Sequence, residues 1–449
     1  MRSLNKFRIS TIAVLLALVV AVLGVPAAAI GPFVEADATP YITFNGEVFG
    51  DGFGWEAENL GDINQDGIND VIISAPLYPV DGTPGGKAYV YSGADGSLLN
   101  AVTGNAWDQF GYSVADAGDV NADGIPDYIV GGRGTSTADG SPIPYQGRAV
   151  VYSGADHSIL HAFVGPQRSG YGYESSKAGD VNADGYDDVF VSAPYLNGQA
   201  GRVYLYSGKD GTPLWTRDGK AAGDFLGTAL GFAGDINHDG VPDLTAGAIM
   251  AGKGHGGEVY VYSGDSGDTL MTLTPPAPGS SQSFGWFFAS GAGDVNNDGT
   301  PDIYVGDFYN KKGGGTANGR TGGTGRVYIF SGSDGSLIYT FEAENKLDGL
   351  GPMRGAGDVN GDGYADLFMA AFNSSDGAPS GGKAYLRSGK DGSLMRTITG
   401  KIAGDQLGFD ALAVGDVTGD GLTDYLLTAA GNSTTDADFG RAYIVPGIP

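Results

Sequence analysis

The feature that most constrains this chain is one acidic phrase, written seven times. Asp62-Ile-Asn64-Gln-Asp66-Gly67-Ile-Asn-Asp70 is its first copy, and further copies begin at Asp119, Asp180, Asp235, Asp294, Asp358 and Asp416. Successive starts lie 57, 61, 55, 59, 64 and 58 residues apart. A fixed period of this size marks a repeat architecture, and about 60 residues suffice for one four-stranded sheet with its turns. No stretch is left over for a domain of another kind.

Each unit has the same grammar. An aromatic residue or Leu precedes a Gly: Phe53-Gly54, Phe110-Gly111, Tyr171-Gly172, Leu226-Gly227, Phe284-Gly285, Leu350-Gly351 and Leu407-Gly408. A short run leads into the acidic loop, and an apolar run such as VIISAP or VFVSAP leaves it. A Gly-rich loop follows, then an alternating strand such as GKAYVYSG or GRVYLYSG. A DGS-type turn and a last short strand complete the unit. These are four β-strands, A to D, with the acidic loop as the A–B hairpin. The last unit stops after strand C at RAYIVPGIP, whereas YITFNGEVFGDGFG near the start reads as a lone strand D. Joining them completes seven sheets and removes the open seam that a linear stack would have to cap. The expected fold is therefore all-β, a closed seven-bladed β-propeller of four-stranded blades. Tyr41 to Asn45 should be the outer strand of the last blade.

The acidic loops have the chemistry of calcium sites. Calcium takes six to eight hard oxygen ligands, and loop positions 1, 3, 5 and 9 supply side-chain oxygens, position 7 a backbone carbonyl, with Gly at position 6 for the turn. The ligand sets read as follows. The first is Asp62, Asn64, Asp66, Ile68 and Asp70; the second is Asp119, Asn121, Asp123, Ile125 and Asp127. The third is Asp180, Asn182, Asp184, Tyr186 and Asp188; the fourth is Asp235, Asn237, Asp239, Val241 and Asp243. The fifth is Asp294, Asn296, Asp298, Thr300 and Asp302; the sixth is Asp358, Asn360, Asp362, Tyr364 and Asp366. The seventh is Asp416, Thr418, Asp420, Leu422 and Asp424, where a hydroxyl at position 3 makes a weaker ligand. Up to seven calcium ions are expected, because so many carboxylates in so few residues repel one another without a counter-charge. The loops are not EF-hands: position 12, which should be Glu, is Ile73 in the first copy and apolar in every other.

The Phe-Gly element, the DxNxDGxxD loop and the Ala-Pro pairs at Ala75-Pro76 and Ala193-Pro194 resemble FG-GAP repeats. Such repeats build the N-terminal propeller of integrin alpha chains and many bacterial secreted proteins. The resemblance implies a calcium-stabilised propeller used for extracellular recognition or adhesion, with calcium on the loop positions already named. It departs from integrins in carrying the loop in every blade and in having no inserted adhesion domain or stalk domains.

Residues 1–29 read as an export signal: Arg2, Lys6 and Arg8, then an apolar run from Ile9 to Val25, then Ala27-Ala28-Ala29 for cleavage. Residues 30–449 would be the propeller, without a transmembrane anchor, placed outside the cytoplasm as a secreted, cell-surface or periplasmic protein. The 52 Asp plus Glu against 25 Lys plus Arg give a net charge of −27, which opposes binding to nucleic acid. The absence of Cys removes disulfides and thiolate chemistry.

Two B–C loops are long, Gly132 to Gly147 and Asp307 to Gly325, and long loops on a rigid scaffold often carry binding. The second carries Phe308, Tyr309, Lys311, Lys312 and Arg320, and Trp286, Phe287 and Phe288 lie just after the fifth Phe-Gly. The spacing from the Phe-Gly element to the loop's leading Gly is eight residues in most units, nine in the fifth and seven in the sixth, which predicts bulges and an asymmetric pocket there. Asp51, Asp108, Asp224, Asp348 and Asp405 recur two residues before the Phe-Gly element, as Asx turns would place them. His157, His161, His238 and His255 have no ligand spacing, and no catalytic constellation is legible. The partner expected is an extracellular protein or glycan. A lectin, or a polysaccharide hydrolase or lyase built on a propeller, is the other reading.

Overall fold

A computed structural model describes residues 31–134, 146–277, 281, 283–310, 324–431 and 440–448. The export signal, most of the loop 132–147 and residues 311–323 with Lys311, Lys312 and Arg320 lie outside this set.

The seven strands B are each six residues long and buried at every position, from Asp70–Ala75 in blade 1 to Asp424–Ala429 in blade 7. A strand covered on both faces has no reason to alternate, which is why VIISA and VFVSA read as continuous apolar runs. The covering comes from neighbouring blades. Seven separate apolar clusters form the core, and each lies between two adjacent sheets. Between blades 1 and 2, for example, Leu60, Ile72, Val90, Phe110, Val130 and Val150 pack together.

Seven four-stranded antiparallel sheets follow the order A-B-C-D. Blade 2 is Phe110–Gly118, Asp127–Gly132, Gln146–Tyr152 and Ile159–Gln167. The innermost strands touch one another around the ring, and Leu407–Gly415 of blade 7 meets Ala57–Gly61 of blade 1. Ile42–Asn45 pairs with Arg441–Val445 in the register Ile42↔Ile444 to Asn45↔Arg441, so the first strand is strand D of the last blade, as expected. The chain ahead of it does more than expected. Phe33 is 2 % exposed and bridges Gly400 of blade 6. The Glu35 carboxylate accepts hydrogen bonds from Thr399 N and from the hydroxyls of Thr397 and Thr399 at 2.7–2.9 Å. Blades 6 and 7 are thereby strapped together.

The Phe-Gly glycines are where blades meet. Gly172 has φ +74°, and a β-carbon there would lie 2.3 Å from the Arg148 carbonyl oxygen of the preceding blade. The same approach recurs at Gly111, 2.8 Å from Lys87 O. Only glycine allows the backbones this close. The aspartates two residues earlier hold the local backbone: Asp51 accepts from Phe53 N, as an Asx turn does, and from Val48 N, while Asp108 and Asp348 accept from the N–H three residues back, of Asn105 and Asn345. Two short helical turns among the described residues, Leu196–Gln199 and Lys253–His255, interrupt the β-structure.

Candidate functional site

The propeller has two chemically different faces. One carries the A–B hairpins. In the first, Asp62 accepts hydrogen bonds from Asp66 N and Gly67 N at 3.0 and 2.8 Å, Asn64 Oδ1 accepts from Asp66 N, and Asp66 Oδ1 accepts from Ile68 N. The position-1 carboxylate does the same in every other copy. Positions 1, 3 and 5 are thus drawn together by the loop's own backbone. Position 9 sits apart in role. Asp70, Asp127, Asp188, Asp243, Asp302, Asp366 and Asp424 are fully buried. Each accepts from the position-2 N–H of its own hairpin and from the first Gly N–H beyond strand C, for instance Asp188 from Val181 N at 3.0 Å and Gly208 N at 2.9 Å. This second bond, which ties the A–B hairpin to the C–D turn, was not legible in the motif. Burial pushes Asp127 and Asp188 up to about 7 and Asp70, Asp243 and Asp302 up to about 6.

Among the described residues no three Asp, Glu or His side chains converge into a metal-holding cluster. A cation would therefore rest on the mixed donor set of carboxylates, an amide oxygen and a carbonyl, all hard oxygens of the kind calcium takes. In the seventh hairpin the Thr418 hydroxyl oxygen is buried and has no hydrogen-bond partner, which leaves a donor to a cation at position 3. The residues fit the ion.

The opposite face carries the Phe-Gly ends of the strands, and here aromatic residues converge on the axis. The residue after Phe-Gly is Trp55, Tyr112, Tyr173, Trp286 and Phe409 in five of the blades. Trp55 lies 5.4 Å from Tyr112 and 5.1 Å from Phe409, ring centre to ring centre, and Tyr112 lies 5.0 Å from Tyr173. The Trp286 indole N–H donates to the Tyr173 hydroxyl at 2.9 Å. Arg133 stacks over Tyr112 at 3.9 Å. Beside this arc lies a cavity of about 300 Å3 with residues of blades 1, 2, 5, 6 and 7 in its wall. Phe288, Phe308 and Tyr309 form one side, Phe372 and Phe409 another, and Glu56, Arg354 and Asp410 the floor. The asymmetric pocket expected near blades 5 and 6 is present. The long loop contributes its first residues, Phe308 and Tyr309. Its leading Asp307 is buried and accepts from Ser283 N and Oγ and from Asn310 Nδ2.

The extra residue of blade 5 is Phe287. It has φ +64°, and its ring touches Trp55, Tyr112, Tyr173 and Trp286, lying nearly parallel to Tyr173 at 5.7 Å. Sequence spacing announced a bulge but not its consequence: the inserted side chain lies on the axis. Phe287, Glu56 and Arg354 border both this cavity and a larger one further along the axis. Among the described residues no helix is long and apolar enough to cross a membrane.

Comparison with known proteins agrees with this architecture. The FG-GAP repeat matches residues 53–91, 172–206 and 226–262, and the FG-GAP-like repeat matches 358–427. The chain is 31 % identical to integrin alpha-5 of Xenopus laevis over 216 residues and 30 % identical to integrin alpha-V of Gallus gallus over 221. It is 32 % identical to integrin alpha-IIb of Homo sapiens over 219 residues. Each match covers 44 % of this chain and 20 % of the relative, so the chain aligns with about a fifth of the length of these curated relatives. Repeats, relatives and seven-bladed ring together make this chain an integrin-alpha-like FG-GAP propeller.

Proposed function

We propose that the protein is an exported, calcium-stabilised recognition module that engages an extracellular protein through its aromatic face. The observation that carries this reading is the cavity of about 300 Å3 walled by aromatic residues from five blades, with charged groups only at its floor. Large, rigid rings with a few polar handles are the composition of binding hot spots. The similarity to integrin alpha chains supports adhesion as the setting and a protein as the partner. In this reading the hairpins have a structural role. Asp, Asn or Thr side chains and one carbonyl of each hairpin would hold a calcium ion, whose charge offsets the carboxylates on that face. Phe308 and Tyr309, the first aromatic residues of the loop 307–325, would belong to the contact surface.

The test is capture of proteins from the native surroundings by immobilised protein, with each captured protein identified and its affinity remeasured in purified form. Trp55→Ala and Tyr309→Ala should each weaken that purified pair about tenfold or more while leaving the melting temperature within a few degrees. Binding that survives both substitutions would refute the assignment of the aromatic face. A glycan array separates the protein partner from a sugar, since a lectin would bind there and lose binding in the same variants.

A further inference from the structure

Beyond Phe287 the axis widens into a chamber of about 740 Å3, to which all seven blades contribute. Gly61, Asp119, Gly124 and Gly357 lie in its wall, so it opens on the hairpin face. Its charges do not balance. Lys177 pairs with Asp116 at 2.5 Å. Arg354 is shared by Glu58 at 3.2 Å and Asp410 at 3.3 Å. Glu56 accepts one backbone hydrogen bond, from Val114 N of the next blade at 3.0 Å, and has no ion pair among the described residues. Glu174 is 4 % exposed, lines the chamber, and its carboxylate has neither a hydrogen bond nor an ion pair among the described residues. Two carboxylates thus border the chamber without an ion pair of their own among the described residues, one of them almost wholly buried.

We propose that this chamber binds a primary alkylammonium group, held between Glu56 of blade 1 and Glu174 of blade 3 and entering from the hairpin face. An inorganic ion fits less well, because a cation such as calcium takes six to eight hard oxygens, whereas the pair here is two carboxylates, Glu56 and Glu174. An ammonium needs only two or three acceptors, and the remaining wall suits a methylene chain: Leu230, Gly231, Ala292, Gly355 and Ala413. The groups that face the pair are Asp410, Glu58 and Arg354, with Tyr112 and Tyr304 also facing Glu174. Burial, and then the Asp410 charge, push Glu56 up to about 8. Burial, and then Glu56, push Glu174 well above the carboxylate range. At neutral pH the empty pair therefore holds a proton, and an entering ammonium displaces it. Phe287 lies between this chamber and the aromatic cavity; Glu56 borders both, whereas Glu174 lines the chamber alone, so substitution of Glu174 distinguishes this site from the partner-binding face.

The experiment is titration calorimetry of the whole protein, saturated with calcium, with 1,5-diaminopentane. One site is expected, with affinity rising as pH is raised from 6 to 8 and about one proton released per amine, measured in two buffers of different ionisation enthalpy. Glu174→Gln should weaken binding about tenfold or more. Asp95→Asn, which removes the same charge from an exposed C–D turn, should not. Equal effects of the two substitutions would show general attraction to an acidic protein and overturn the proposal, as would absence of binding or of proton release. Nα-acetyl-lysine methylamide forms the second arm. Binding of both probes points to a lysine side chain as the natural source, and binding of the diamine alone to a free amine. Proton release is read on the unmodified protein, so the test stands even if a variant fails to fold.

Discussion

Phe287 occupies a backbone region that costs a residue with a β-carbon on the order of 1–3 kcal/mol, and it is held there by contacts with rings from three other blades, stacked on Tyr173, tilted to Tyr112 and edge-on to Trp55. Glycine is indifferent to a positive φ, whereas alanine is not. Phe287→Gly should therefore be more stable than Phe287→Ala by about 1 kcal/mol in urea unfolding, the reverse of the order found inside ordinary strands. Gly172 tells the opposite story. With φ +74° and the Arg148 carbonyl 2.3 Å from a would-be β-carbon, Gly172→Ala has no room to relax. It should cost more than about 2 kcal/mol, read as a fall in the urea midpoint, and unchanged stability would show that the blades do not meet there as described. The need for Gly was legible in the repeated Phe-Gly pair. The reason was not, because the atom it avoids belongs to the preceding unit.

At the scale of the element, the A–B hairpin is two devices joined. Positions 1, 3 and 5 are half-buried or exposed and organised by local hydrogen bonds, while position 9 is a buried staple to the C–D turn. Asp188→Asn keeps one acceptor oxygen but sets an amide N–H against a backbone N–H, either that of Val181 or that of Gly208. Leaving a buried donor unsatisfied costs about 1–3 kcal/mol, and this loss should appear in unfolding measured with chelator present, where calcium cannot contribute. Equal stability of variant and parent in chelator would remove the staple role. Calcium itself should raise the melting temperature of the parent, with excess chelator lowering it markedly. The motif spelled out the donor chemistry of the loop because the ligands are local. It could not show that position 9 also serves another turn, since that contact spans some twenty residues.

For the whole molecule, closure and the axis dominate. Phe44 of the first strand is 4 % exposed and packs against Tyr91 of blade 1 with ring centres 4.7 Å apart, so it belongs to the seam between the two ends of the ring. Phe44→Ala should cost about 3–5 kcal/mol by denaturant unfolding, as much as a substitution in the centre of an ordinary core. The channel sets a pH dependence. Glu56, raised to about 8 by burial and by Asp410, binds its proton more tightly folded than unfolded. Its contribution is full at acid pH and is lost as pH rises through about 8, by at most about 1.4 kcal/mol per pH unit. Stability between pH 5 and 9 should fall more steeply in the parent than in Glu56→Gln, and parallel profiles would remove Glu56 from the account.

Read alone, the amino-acid order determined the number of blades, the A-to-D order of strands, the hairpin chemistry and the strand that closes the ring. Each of these is a local pattern repeated seven times, and repetition makes even a weak local signal unambiguous. Tertiary structure alone decided what lies at the centre. Trp55, Tyr112, Tyr173, Trp286 and Phe409 are dozens to hundreds of residues apart, and only ring closure points them at one axis. It likewise makes neighbours of Glu56 and Glu174, which differ by more than a hundred positions, and leaves them short of counter-charge. Burial and convergence are properties of the closed ring, and no single repeat contains them.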